Sequence, residues 1–420
     1  MEEVFSTASL PVYAYRNAAL HGFCLSLYVR AGSMYETAEE NGVSHCLEHM
    51  VFRNVNRSMN GELYKFLDRC GLSFNAVTYK ELVQFYIVGA TEHFDDAVTV
   101  FSHIFDPMDL PRSEIEPEIR RIKSEIREAD EFTCLDYFAD GCVWEDTSLA
   151  RSILGPVGNL NRMGSRFLAD AARRMFSGNN MFFYVTGNVP DAALSRFCSS
   201  VPPLEATVSL RQNDAPLPRS FCRRPNRIFL KNSDETVVRF SFDFDSARYS
   251  HAELMLLYDI LFYGECGKVF RELSERTGLI YSFDSSIERF RNGGVIHLKY
   301  EVRQNDLYRS VELVRNLLNE LKRGITDELE TVRPLYLDNG DLMLDNAEDL
   351  NWNRAYEVHF LNCPYPTHEA RKQAFAAVQP QRIAQIAREI FRRDHLTFAM
   401  KGNRRRVDCD FLESTLSDLG

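Results

Sequence analysis

Residues 41–52 read NGVSHCLEHMVF, and they set His45, Glu48 and His49 in the spacing H-x-x-E-H. On a helix, positions i and i+4 share a face about one turn apart. The imidazoles of His45 and His49 then point the same way and can share one metal ion. Glu48 lies on that face too, three residues after His45. It is placed to touch a water beside the ion, not the ion itself. Imidazole suits zinc, and a catalytic zinc keeps three protein ligands and one open position. A carboxylate next to the activated water can take its proton. The order is the inverse of the commoner H-E-x-x-H pattern. Cys46 adjoins His45, but one residue further on it points off the metal face and is read as packing.

Two histidines leave such an ion one ligand short. The supplier is the helical stretch 111–131, PRSEIEPEIRRIKSEIREADE. Glu118 and Glu125 are seven residues apart and share a face two turns apart, with Glu114 and Glu128 close to it. Arg121, between them, is a cation and cannot ligate. Spacing alone does not choose among these glutamates, which would equally serve a solvated face of i,i+4 ion pairs. Ser113 and Glu116 have the S-x-x-E spacing of a capping box, which predicts the helix start there. Pro117 falls close enough to the first turn to be tolerated.

A chain of 420 residues exceeds one ordinary core, so two or more domains are expected. Its net charge of −11 argues against a nucleic-acid partner. No phosphate-cradling glycine motif occurs, so no nucleotide site is expected. No apolar run is long enough to span a membrane. The first residues, MEEVFSTASL, are acidic and lack the layout of a signal peptide. The ten cysteines are scattered without a C-x-x-C pair, which reads as reduced thiols. Both observations give a cytoplasmic expectation.

Apolar patterning predicts two strands within 10–32, a helix at 60–70, strands at 71–76 and 82–88, and a helix at 92–105. Helices are predicted at 136–144 and 170–176, and a strand at 181–185. Residues 202–226 are rich in proline and arginine, lack periodicity and read as a linker. The chain is thus divided into domains at 1–201 and 227–420. The halves are related. FLADAARRMFSGNNMFFYVTGN at 167–188 matches RIAQIAREIFRRDHLTFAMKGN at 382–403 at an offset of 215. Arg69, Gly71, Leu72 and Phe74 match Arg276, Gly278, Leu279 and Tyr281 at an offset of 207. Two matches in the same order indicate a duplicated α+β unit, of which the first copy alone carries H-x-x-E-H.

Three segments together resemble a known family: GSMYETAEENGVSHCLEHMVFRNVNRS, GLSFNAVTYKELVQFY and EIEPEIRRIKSEIREAD. They look like the N-terminal domain of the inverzincin zinc metallopeptidases, the family of pitrilysin, insulysin and the mitochondrial processing peptidase. The resemblance extends over nearly the whole chain. It implies an α+β fold of two homologous domains, each a mainly antiparallel sheet packed against helices. It implies that His45, His49 and Glu125 bind Zn2+, that Glu48 is the general base and that Glu118 supports the site. Phe74, Asn75 and Ala76 then match a strand whose edge pairs with substrate backbone, a mode that selects short or unfolded peptides.

In the second half, GKVFRELSERTGLIYSFDSS resembles the family segment that supplies an arginine and, seven residues on, a tyrosine to substrate or oxyanion. Tyr281 is present, but Ser274 stands where the arginine belongs. A hydroxyl cannot replace a guanidinium, which is permanently charged and donates five hydrogen bonds. Arg276 or Arg271 could substitute. Half-length members of the family work as dimers that close like a clamshell, and in the heterodimeric ones one chain brings zinc and its partner the Arg/Tyr pair. The resemblance therefore implies a zinc metalloendopeptidase that is the zinc-bearing subunit of a heterodimer, with leader-peptide processing as one role. The alternatives are a homodimeric general peptidase and a non-catalytic peptide-binding or scaffold subunit.

Overall fold

The structure, a computed structural model, describes residues 1–129, 134–145, 147–206, 236–290, 293–325 and 327–420. Most of the expected linker at 202–226 lies outside these residues. The chain divides into two compact units.

In the first unit, β1 (Glu3–Ser6), β2 (Pro11–Arg16), β3 (Gly22–Val29), β4 (Ser73–Thr78), β5 (Val83–Ala90) and β6 (Met181–Gly187) form one sheet. Their order is β1-β2-β6-β3-β5-β4, antiparallel except for the β2–β6 pair. β4 therefore lies at an edge. The helices α1 (Val43–Ser58), α2 (Leu63–Cys70), α3 (Phe94–Ser102) and α4 (Arg112–Glu128) follow the apolar patterning. Leu47, Met50, Val51 and Val55 of α1 and Ile115, Ile119, Ile122 and Ile126 of α4 join the core that Phe23, Leu25, Leu27 and Val29 of β3 enter from the sheet. The helix α4 starts one residue before Ser113, with Pro111 as its N-cap. Ser113 is thus inside the helix and caps nothing, which overturns the capping-box reading; Glu116 instead accepts from Arg112 Nε at 2.7 Å.

The second unit repeats the plan. Its strands β7 (Val237–Phe244), β8 (Phe283–Phe290), β9 (Gly293–Glu301) and β10 (Leu396–Lys401) form an antiparallel sheet in the order β10-β7-β9-β8. That is the order β6-β3-β5-β4 of the first sheet. The offsets seen in the sequence are structural. The helices Ser165–Met175 and Pro380–Ile390 lie 215 residues apart, and the strands that follow them, β6 and β10, start 215 apart. Gly71 and Gly278, 207 apart, both have φ of 60°, a left-handed turn that glycine adopts at low cost. The chain is α+β, with two homologous units each built on a mainly antiparallel sheet packed against helices.

The units are not consecutive halves. Leu342–Tyr356 belongs to the first unit, and Asp130–Ala150 to the second. Each of these segments carries a nine-residue helix, Ala347–Ala355 and α5 (Leu135–Val143), and the two start 212 residues apart. They are the same element of the duplicated plan, given by each half of the chain to the other's sheet. This explains why β3 reads as a continuous run, FCLSLYV, without polar alternation: both its faces are covered. On the second face the side-chain amide of Asn351, fully buried, donates to the carbonyls of Cys24 (3.2 Å) and Tyr184 (3.0 Å) and accepts from Tyr28 Oη (2.9 Å). Trp352 stacks on Tyr79 and Tyr356 at centroid distances of 4.8 and 5.1 Å. In the second unit α5 is tied by charge. The buried guanidinium of Arg239 on β7 donates to Asp136 (2.9 Å) and Asp140 (2.7 Å), and Lys299 on β9 also reaches Asp136.

Replacing Asn351 with alanine leaves buried polar groups without partners. Asn351→Ala is expected to cost on the order of 2–4 kcal/mol in urea unfolding of the full chain. A loss below about 1 kcal/mol would mean that apolar packing, not the amide, holds this helix down.

Candidate metal centre

The site begins with how α1 is anchored. Its N-cap is Gly42, with φ of 96°, and no side chain of the usual capping position serves it. The buried carboxylate of Glu36 does so instead. Its Oε2 accepts from the Gly42 N–H (2.8 Å) and from Asn41 Nδ2 (2.9 Å), and its Oε1 from the Ser44 N–H (2.8 Å). A negative charge at this end also suits the helix dipole. The backbone of Gly155 crosses here so closely that a Cβ on Gly155 would lie 2.4 Å from the Asn41 carbonyl oxygen. Asn41 Nδ2 also donates to the Ser152 carbonyl (2.8 Å), and Asn159 Nδ2 donates to the Asn41 carbonyl (3.1 Å). The start of α1, one turn before His45, is therefore held from several directions.

One turn along, the predicted residues come together. His45 Nε2 lies 3.8 Å and His49 Nε2 3.6 Å from Oε2 of Glu125 on α4. One nitrogen of each histidine and one Glu125 oxygen all lie within 4.8 Å of one another. Ligands about 2.0–2.2 Å from one tetrahedral ion stand roughly 3.4 Å apart. The two imidazoles and the carboxylate fit a zinc ion after only small side-chain adjustments. Burial, with His49 nearby, lowers the pKa of His45 to about 4, so its ring is neutral at pH 7 and its lone pair is free.

Glu118 is the most buried carboxylate here. Its Oε2 lies 3.1 Å from His49 Nδ1, and its Oε1 accepts from Arg53 Nε at 2.6 Å. Burial pushes its carboxyl up, but the bonds to Arg53 and His49 outweigh that and hold it below the usual carboxylate range. With Nδ1 so engaged, the Nε2 of His49 faces Glu125. His45 has no such support, since its Nδ1 is buried without a hydrogen-bond partner among the described residues. Glu114 pairs with Arg57 at 3.6 Å, away from the cluster. Thus α4 aims one glutamate at the cluster and sets another behind it.

Glu48 accepts a hydrogen bond from Thr78 Oγ1 at the end of β4. Burial raises its pKa, opposed by Thr78 and His49 and assisted by Glu125. Thr78 thereby links the edge strand to α1. On β4, Phe74 points into the core, its ring 4.6 Å from that of Phe52, so only its backbone is available at the edge. Asn75 is exposed, its amide donating to Ser73 Oγ at 2.8 Å. Ala76 is half-buried. Cys46 is fully buried and its thiol is pushed up to about 12, as packing requires.

Tyr281, in the second unit, is 96% exposed. Ser274 lies in a π-helical turn, Phe270–Glu275, with Arg271 and Arg276 exposed nearby. Arg276 is engaged with Glu272 at 2.6 Å. Sequence reasoning missed Glu36, whose signal would have been an acid a few residues before a helix that begins on glycine. It also missed the hydrogen bond of Thr78, which depends on the pairing of β4.

Comparison with known proteins agrees with this architecture. Residues 14–157 match the family described as insulinase (peptidase family M16), and residues 166–330 match the peptidase M16 inactive domain. An uncharacterized zinc protease of Rickettsia felis is 25% identical over 344 residues, spanning 79% of this chain and 80% of that protein. The mitochondrial-processing peptidase subunit beta of Saccharomyces cerevisiae is 30% identical over 207 residues, 47% of this chain and 44% of that protein. Among solved structures, a protease from Helicobacter pylori superposes with a TM-score of 0.86 at 16% identity, covering 96% of this chain and 99% of that one. With residues 14–157 and 166–330 matched in order, this chain belongs to peptidase family M16, the insulinase family.

Proposed function

We propose that this protein is a zinc-dependent endopeptidase of short or unfolded peptides and the zinc-bearing subunit of a two-chain clamshell. The observation that carries the catalytic reading is the convergence of His45, His49 and Glu125, with Glu48 on the same face of α1. When bound, zinc supplies a Lewis acid and makes a water acidic enough to lose its proton near neutral pH. Glu48 takes that proton as general base and returns it to the leaving amine. Thr78 orients its carboxylate. Glu118 fixes the ring of His49, as partners behind metal ligands generally do. The free edge of β4 offers backbone groups to an extended peptide, so recognition depends little on side chains and favours chains without their own structure. Removal of leader segments from small precursor peptides suits that selectivity. The scatter of ten cysteines without close pairs in sequence supports a reducing compartment.

The two-chain reading rests on the second unit. Ser274 replaces the expected arginine, Arg276 is held by Glu272, and Tyr281 stands exposed. A homologous partner would bring the missing guanidinium. A relative named as a subunit supports this arrangement.

Three outcomes test the proposal. Glu48→Gln should keep one zinc at this centre and lose cleavage of an unfolded peptide by roughly 10²–10⁴-fold, whereas His49→Ala should lose the metal itself. Retained activity in Glu48→Gln would remove it as the base. Glu118→Gln should weaken zinc binding about 10–100-fold in a competition titration; unchanged affinity would show that the ring needs no support. The purified chain alone should cleave poorly, with a rise of about 10²-fold or more once a homologous chain carrying the Arg/Tyr pair is added. Full activity of the single chain, indifferent to any partner, would sink the two-chain reading.

A further inference from the structure

A second group of metal-ligating side chains lies on the first unit, sharing no residue with the centre described above. Cys70, His93 and Asp96 each offer one ligand atom, and these atoms lie within 4.8 Å of one another. The topology puts them there. The β4–β5 pairing runs from Thr78↔Val83 to Ser73↔Val88. Continued outward, it carries the last residue of α2, Cys70, to the turn Thr91–His93 that follows β5. Asp96 is in the first turn of α3, directly after that turn. Cys70 is buried at the rim of the core, while His93 and Asp96 are half-buried. His93 Nδ1 lies 2.8 Å from Asp96 Oδ2, and its Nε2 lies 3.8 Å from Glu92 Oε1.

We propose that Cys70, His93 and Asp96 form a second divalent transition-metal site, with zinc as its ion. Thiolate, imidazole and carboxylate together are a donor set that suits zinc and disfavours magnesium or calcium. Three protein donors at a half-exposed position leave the fourth to solvent. Binding deprotonates the Cys70 thiol, the proton leaving to water, and replaces the His93–Asp96 hydrogen bond by ligation. The ion would brace the end of α2, the β4–β5 hairpin and the start of α3 at one point. The duplicate half lacks it: at the offset of 207, Thr277 stands in the place of Cys70. The competing account is that Cys70 only packs and that His93 and Asp96 form a local pair.

Cobalt(II) separates the two, because the His45/His49/Glu125 centre contains no sulfur. The full-length protein would be stripped with a chelator and titrated with Co2+ alone under a non-thiol reductant. The expected result is a thiolate-to-cobalt charge-transfer band that persists in His49→Ala and is abolished in Cys70→Ser. His93→Gln, at a half-exposed position, should weaken the banded site by on the order of tenfold or more. Should Cys70→Ser fail to fold by circular dichroism, His93→Gln decides. Absence of the band in the unaltered protein, its survival in folded Cys70→Ser, or its indifference to His93→Gln overturns the proposal.

Discussion

The helix that carries His45 and His49 has no conventional cap, and the buried carboxylate of Glu36 takes that place. A helix begins with N–H groups that nothing inside it can satisfy, and here the residues that carry them are buried, with the backbone of Gly155 crossing close by. Hydrogen bonds to a charged group contribute roughly 1.5–3 kcal/mol each, and Glu36 accepts two from backbone and one from Asn41. Its position fixes where α1 starts. The start of α1 fixes the rotation of His45 and His49, and that rotation decides whether Glu125 can meet them. An error of one residue in the start of α1 would turn its face by about 100° and disperse the cluster.

Four carboxylates then act differently because their surroundings differ. Glu36 is buried among N–H donors. Glu118 is buried beside a guanidinium and an imidazole, which keep it ionised. Glu48 is half-buried with one hydroxyl partner, and its proton affinity rises. Glu125 is partly open to solvent and faces two imidazole nitrogens. None of these differences follows from the residue type. Each follows from which element crosses behind the side chain.

The sequence made some of this legible and not the rest, for physical reasons. Helical spacing put His45, Glu48 and His49 on one face, because that geometry is local. The glutamates of α4 could be narrowed to one side of a helix and no further, since the choice depends on how α4 lies against α1. Offsets of 215 and 207 announced the duplication, and the shared strand order bears it out. The S-x-x-E pattern at Ser113 misled because the N-cap falls on Pro111, whose backbone is extended, so the helix starts at Arg112 and Ser113 is already inside it. Phe74 was singled out with its neighbours, but strand alternation turns its ring into the core, and only its main chain can serve the edge. The helices that change sides were legible as helices, but nothing local tells a helix which sheet it will cover.

That change of sides sets an order of events during synthesis. The amide of Asn351 satisfies carbonyls on strands that end at residue 187, while the helix carrying it ends at residue 355. At about 5–20 residues per second, the ribosome needs roughly ten to thirty seconds to deliver that helix after the first sheet's last strand. Through that interval one face of β3 and β6, lined by Cys24, Tyr28 and Tyr184, stays bare while the second half emerges. A nascent chain of this design presents an uncovered aromatic surface to whatever chaperone meets it, and its first half becomes a finished object only when most of the second has been made.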